Sequence, residues 1–344
     1  MSARIGGMGW VTPLGRGISE VWQKLLTGEK ATAESITGPQ PEQSFKIFRV
    51  PAEATKSAPA HPRLRRSSAI SRFAAVAGLD ALADAGIQLD AESAKRTAII
   101  FAISNGGVIY TKRFYHDIVA TGAQTASPLL FPETVFNAPA SHLAAILGIA
   151  GASYTLVGDG AVGVLALKMA EDLLLDPALD RCLVVAAEEA DVLLCDAYLR
   201  WRLPITLSEG AGAVLLDRTG PISIEAIDAG GNFSHQSRAA HCIGKILERL
   251  KATNDDLFIT SANGSFIDRA EAAAISEFAP QAQTYSIKSA LGESVGASAL
   301  WQVICAAEAL KTRRLPGTKD FHAERAIVCA CGLNQQAAGL ALVL

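Results

Sequence analysis

Charge is scarce in this chain. Asp, Glu, Lys and Arg make up 19% of its 344 residues, against 50% hydrophobic, and the formal net charge is only −3. That balance argues against nucleic acid as a partner, which calls for a basic surface. Long apolar runs are lacking too. None reaches the roughly 18 residues of a membrane span, and the opening M-S-A-R-I-G-G-M-G-W lacks the pattern of a secretory signal. A cytoplasmic protein is expected. The cysteines Cys182, Cys195, Cys242, Cys305, Cys329 and Cys331 form no C-x-x-C pair and have no histidines at metal-binding spacing. Most lie in apolar runs and read as reduced core residues. None sits on a glycine-rich turn entering a helix, where a thiolate would be stabilised. So much apolar surface with so little charge predicts an oligomer.

What is present is an alternation of short apolar runs with helical patterns. Residues 96–103, 183–187, 213–216, 257–260 and 327–330 read as strands. Residues 68–85 carry apolar residues at helical spacing, and 165–175 and 299–310 are apolar nearly all round, so they predict buried helices. This alternation predicts an α/β fold with both sheet faces covered. There is also an internal echo: IIFAISNGG, ending at Gly107, is matched by LFITSANGS, ending at Ser265. SEGAGAVLL and QAAGLALVL close two stretches, which suggests a duplicated unit with halves 1–218 and 219–344.

Within this pattern Gly158-Asp159-Gly160-Ala161-Val162-Gly163 reads as G-x-G-x-x-G between a strand and a helix, and Glu188 and Glu189 follow the next strand. A dinucleotide site needs its ribose-binding acid about 20 residues on. Here the acids come later, and Asp159 puts negative charge where a pyrophosphate would lie.

Several segments in order resemble the β-ketoacyl synthases of the elongating type. They are R-I-G-G-M-G-W-V-T-P-L-G, Arg72 to Ile87, S-P-L-L-F-P, S-E-G-A-G-A-V, S-I-K-S-A-L-G and R-L-P-G-T. The resemblance implies a thiolase-like fold of two similar α/β halves in five layers, an obligate dimer and no cofactor or metal. It thins out between Arg218 and Leu257. It also implies that Gly158–Gly163 is the elbow bearing the nucleophilic cysteine, with Gly160 in the cysteine's place. The family's two histidines correspond to Asn263 and Glu293, while Lys288 is retained and Asp268 and Glu271 match acidic positions. Acyl transfer through a covalent thioester needs a nucleophile, and loss of all three groups leaves little condensation to expect.

Cysteine-less members of the family are chain-length factors, which pair with an active ketosynthase in polyketide and aryl-polyene systems. The segment from Ser104 to Tyr115 resembles their gating helix. The resemblance places Val108, Thr111 and Tyr115 along the acyl tunnel, with Phe131 and Phe136 as further lining residues. The implied partners are an active ketosynthase subunit and an acyl carrier protein, for which the basic runs at 63–66, 200–202 and 311–314 are docking candidates by charge. Two alternatives stay open: an enzyme of different acyl-thioester chemistry using Asp159 or Glu293, and an NAD(P)-binding oxidoreductase.

Overall fold

The computed structural model describes residues 3–40 and 42–344. Ten strands fall into two sets of five with the same connectivity. In the first, Arg4–Thr12 is antiparallel to Gly210–Asp217, and that strand is antiparallel to Arg181–Glu188. Thr97–Ile103 follows in parallel, and Ser153–Val157, also parallel, forms the edge. In the second, Ile222–Asn232, Gln336–Val343 and Arg325–Cys331 are successively antiparallel. Leu257–Ile259 and then Gln283–Tyr285 continue in parallel. Each set therefore runs first, last, fourth, second, third. Pairing of Arg4 with Ser223 and of Ile5 with Ile222 joins the two sets.

The strands alternate because each face buries a different core. Ile99, Phe101 and Ile103 point to the outer core of the first set, beneath the helices Ala69–Asp84 and Ala138–Leu147. Ala98, Ile100 and Ala102 point the other way, into a central layer. The second set does the same. Ile327, Cys329 and Cys331 face an outer core shared with Ala239–Arg249, beside which Phe266–Phe278 packs. Ala326, Val328 and Ala330 face the centre.

Two helices fill that central layer, Val162–Leu173 and Ser298–Thr312, and each touches strands of both sets. Helices buried between two sheets must be apolar on most sides, which is what their sequence predicts. The layers are thus helix, sheet, helix, sheet, helix. The hydropathy pattern leaves Arg4–Thr12 unmarked because it holds Gly6, Gly7 and Gly9. A Cβ at Gly7 or Gly9 would overlap the backbone of the helix lying over it at Ala81 or Ala77, so close packing explains the small residues.

A small sheet of Glu34–Thr37, Ser44–Phe48 and Leu207–Ser208 packs Ile36, Phe45, Ile47 and Leu207 against the outer core of the second set. Ser208 N donates to Glu293 O at 2.9 Å, which ties this sheet to the turn carrying Glu293.

Leu300 is fully buried and packs on Gly163 and Gly212, linking the central helices to the first set. Leu300→Ala is expected to cost about 2–5 kcal/mol. Urea unfolding followed by tryptophan fluorescence and by circular dichroism should give one coincident transition; two separated transitions would contradict a shared central core.

Candidate functional site

Four turns converge at the ends of the central helices. The first is the elbow between Ser153–Val157 and Val162–Leu173. Gly160 is buried there. A Cβ built on it would lie 3.2 Å from Gly332 Cα and 3.3 Å from Cys331 O, so the space next to the elbow is taken by the loop after Arg325–Cys331.

Asp159 holds that loop in place. Its carboxylate accepts from Ala161 N at 3.3 Å and from Asn334 N at 3.1 Å. It also abuts Gly332 so closely that any side chain at 332 would overlap it. Burial raises Asp159 to about 6, against the downward pull of the Ala161, Asn334 and Gln336 amides and the charge of Lys288. The amide of Ala161, which a pyrophosphate would need at this helix start, is thus already engaged by the chain's own carboxylate.

The second and third turns carry Asn263 and Glu293, and the structure joins them. Asn263 Nδ2 donates to Glu293 Oε2 at 2.6 Å, and Lys288 Nζ donates to the same oxygen at 2.8 Å. The other oxygen accepts from Ser298 Oγ at 2.7 Å and Val295 N at 2.9 Å. Asn263 Oδ1 in turn accepts from Ser265 Oγ at 2.6 Å. The Lys288 and Glu293 side chains are 1% and 3% exposed. This is a closed network in which the buried charges are paired and each carboxylate oxygen has two donors. Asp268 Oδ1 accepts from Asn263 N at 2.8 Å, and Glu271 accepts from Ser261 N with both oxygens at 2.9 Å. Ser261 Oγ accepts from Cys331 N at 2.9 Å, which connects this turn to the loop against Gly160.

Sequence reasoning finds Asn263, Glu293, Lys288, Asp268 and Glu271 by position. It does not find Ser298, Ser265 and Ser261, whose hydroxyls complete the network, since isolated serines carry no pattern. Of the six histidines, His142 forms a buried pair with Glu133 at 2.7 Å, away from these turns.

An open cleft of about 670 Å³ lies beside the elbow. Its wall includes Asp159, Asn105, Tyr198, Asn334 and Gln336, and it reaches Gly158 but not Gly160, Asn263 or Glu293. The residues expected along a tunnel lie elsewhere. Val108 and Thr111 are half-buried on the helix Val108–Thr121, while Tyr115, Phe131 and Phe136 are exposed. Phe114 bridges two of them, its ring centroid 5.8 Å from those of both Tyr115 and Phe131. Phe136 packs over Gly106 at the start of that segment. Of the basic runs, Arg200 pairs with Asp196 and Lys311 with Glu308, and Arg63, Arg65 and Arg66 are exposed. Among the described residues no cluster of His, Cys, Asp and Glu is placed to hold a metal ion, and no helix is long and apolar enough to cross a membrane.

Removing one member of a buried ion pair strands the other. Glu293→Ala is expected to cost about 3–5 kcal/mol, measured by urea denaturation. A loss under about 1 kcal/mol would show that Lys288 needs no partner there.

Three further carboxyls sit in dry surroundings. Burial pushes Glu188 and Glu271 up to about 8 and Glu189 to about 7, in spite of amide donors to each. A free glutamyl carboxyl loses its proton near 4.5. Between those values the folded protein binds more protons than the unfolded chain, so stability should fall as pH rises. Melting temperature is expected to drop between pH 6 and pH 9, and Glu271→Gln should flatten the curve. A melting temperature that climbs over this range would contradict the assignment.

Comparison with known proteins follows from this geometry. Residues 4–203 match the family model "Beta-ketoacyl synthase, N-terminal domain", and residues 224–322 match "Beta-ketoacyl synthase, C-terminal domain". A 3-oxoacyl-[acyl-carrier-protein] synthase 2 of Coxiella burnetii is 25% identical over 157 residues, 44% of this chain and 37% of that protein. The match therefore spans little more than a third of that relative. The ishigamide ketosynthase/chain length factor structure superimposes with a TM-score of 0.82 at 22% identity, covering 100% of this chain and 99% of the other. A ketosynthase in complex with its chain length factor from Xenorhabdus doucetiae gives 0.83 at 18% identity, covering 100% and 98%. The duplicated five-layer architecture is the thiolase-like fold expected from the sequence. By its two family matches, the chain belongs to the β-ketoacyl synthase family.

Proposed function

We propose that this chain is the non-condensing member of a cytoplasmic ketosynthase pair, with its halves 1–218 and 219–344 acting as one unit. It joins an active ketosynthase and shapes the acyl tunnel during polyketide or fatty-acid-type elongation, while the partner carries the acyl group.

The observation that carries this reading is the state of the three catalytic positions. Gly160 has no side chain to attack a thioester, and its surroundings leave little room for one. Asn263 and Glu293, at the two histidine positions, are bonded to each other and to Lys288. A carboxylate there opposes the negative charge that develops on a thioester oxygen during condensation.

The surface supports a pair. Ser153–Val157 is an edge strand with Tyr154 and Val157 exposed, an arrangement open to pairing with a second sheet. Exposed Ile109, Tyr115, Val119, Leu129, Phe131 and Phe136 add an apolar face, of the kind that marks a protein interface. In this reading the partner covers Tyr115, Phe131 and Phe136, which close the tunnel end alongside Val108 and Thr111. Two of the structural neighbours are ketosynthases with chain length factors, and a third is an acyl-carrier protein in complex with its ketosynthase. A carrier protein is accordingly the second partner proposed here.

One observation favours a second reading. Asp159 lies on the wall of the open cleft with its carboxyl raised to about 6, suited to a general base acting on a bound thioester. Thioester turnover by the purified chain, lost in Asp159→Asn, would support it.

Co-expression with an active ketosynthase is expected to give a one-to-one complex, and Tyr115→Ala within it to lengthen the products. A stable homodimer that condenses thioesters unaided and gains nothing from such a partner would overturn the proposal.

A further inference from the structure

Glu188 and Glu189 close the strand Arg181–Glu188, stand outside the Glu293 network and remain unexplained by the proposed function. Glu188 is 1% exposed, and among the described residues no lysine or arginine hydrogen-bonds to it. Its surroundings are backbone from two distant segments. On one side, Ser104 N donates to Oε1, and Asn105 N reaches both oxygens at 3.3 and 3.2 Å. On the other, Gly296 lies so close to Oε1 that a Cβ there would overlap it.

Each segment leads to a feature already described. Ser104 and Asn105 precede the helix Val108–Thr121, whose cap residue Gly107 offers no side chain. Glu189 takes over that task, accepting from Ile109 N at 2.9 Å in the first turn, where a carboxylate also meets the positive end of the helix dipole. Gly296 follows Val295, a β-branched residue at φ 41°. Such a conformation persists only where the surroundings enforce it. Here Glu293 binds the Val295 amide, and Glu188 lies against the next residue, Gly296.

We infer that Glu188 is a positioning residue tying the entry of the helix Val108–Thr121 to the strained turn 293–296, so that a displacement of either is transmitted to the other. The path is one shared carboxyl group, bonded by the Ser104 and Asn105 amides on one side and in close contact with Gly296 on the other. The inference rests on the proposed gate only for its functional consequence; the coupling itself is a property of this chain.

Hydrogen exchange of the whole chain, resolved by mass spectrometry, tests it with two variants. Glu188→Gln keeps the shape but replaces one oxygen, able to accept with or without its proton, by a nitrogen that cannot accept. Exchange is expected to accelerate at least tenfold in both 104–109 and 293–298, with the central helix Val162–Leu173 still protected. Gly296→Ala displaces the carboxylate from the opposite side, and its effect should appear at 104–109, away from the substitution. Acceleration confined to the segment nearest each substitution, or uniform across the chain, would overturn the coupling. In the complex with a ketosynthase, Glu188→Gln should broaden product length. If Tyr115→Ala leaves product length unchanged while exchange is coupled, the gate reading fails and the coupling stands. If Tyr115→Ala shifts the length and Glu188→Gln accelerates neither segment, the coupling fails and the gate reading stands.

Discussion

A carboxylate withdrawn from water must find its partners inside the protein, and the arrangement around Glu293 follows from that requirement. One oxygen is met by the Lys288 ammonium and the Asn263 amide, the other by the Ser298 hydroxyl and the Val295 amide. Each partner has a structural consequence. Ser298 opens the central helix Ser298–Thr312, so the carboxylate fixes where that helix begins. Val295 is held at positive φ. Asn263 is oriented by Ser265 and by Asp268, which settles the turn entering Phe266–Phe278. The Glu293 turn is thus closed on itself by complementary hydrogen bonds.

The elbow at Gly160 is shaped by the elements around it. Its geometry comes from a strand, a tight turn and a helix packed between two sheets, and the side chain at its centre contributes nothing to that framework. The loop at 331–336 lies against the elbow, held by Asp159 through Asn334 and across Gly332. Burial makes this carboxyl a weaker acid than usual. The cleft beside it is walled largely by amide and hydroxyl groups, and it stops short of Gly160, Asn263 and Glu293.

Much of the architecture was legible in the sequence because burial imposes periodicity. The run 96–103 is apolar on both faces, as a strand between two cores must be, and the structure has Thr97–Ile103 fully buried. The helix patterns at 165–175 and 299–310 are apolar nearly all round for the same reason, although Val162–Leu173 begins earlier because Val162 and Gly163 lie within a stretch that reads as turn. Hidden were contacts between segments far apart in the chain. Asn334 reaches Asp159 across 175 positions, and Ser104 reaches Glu188 across 84. Glu188 and Glu189 sit near where a ribose-binding acid could be sought; in the fold they hold backbone amides instead. The exposure of Tyr115, Phe131 and Phe136 was equally unreadable, since exposed aromatic residues look like core residues in a sequence.

In the proposed pair this chain joins a ketosynthase assembly without carrying its acyl group. Intact-protein mass spectrometry of the purified complex after incubation with an acyl thioester tests it most directly. The account predicts that the ketosynthase subunit gains the acyl mass while this chain keeps the mass of its unmodified sequence. An acyl adduct on this chain, formed at a rate comparable to that on its partner, would contradict it.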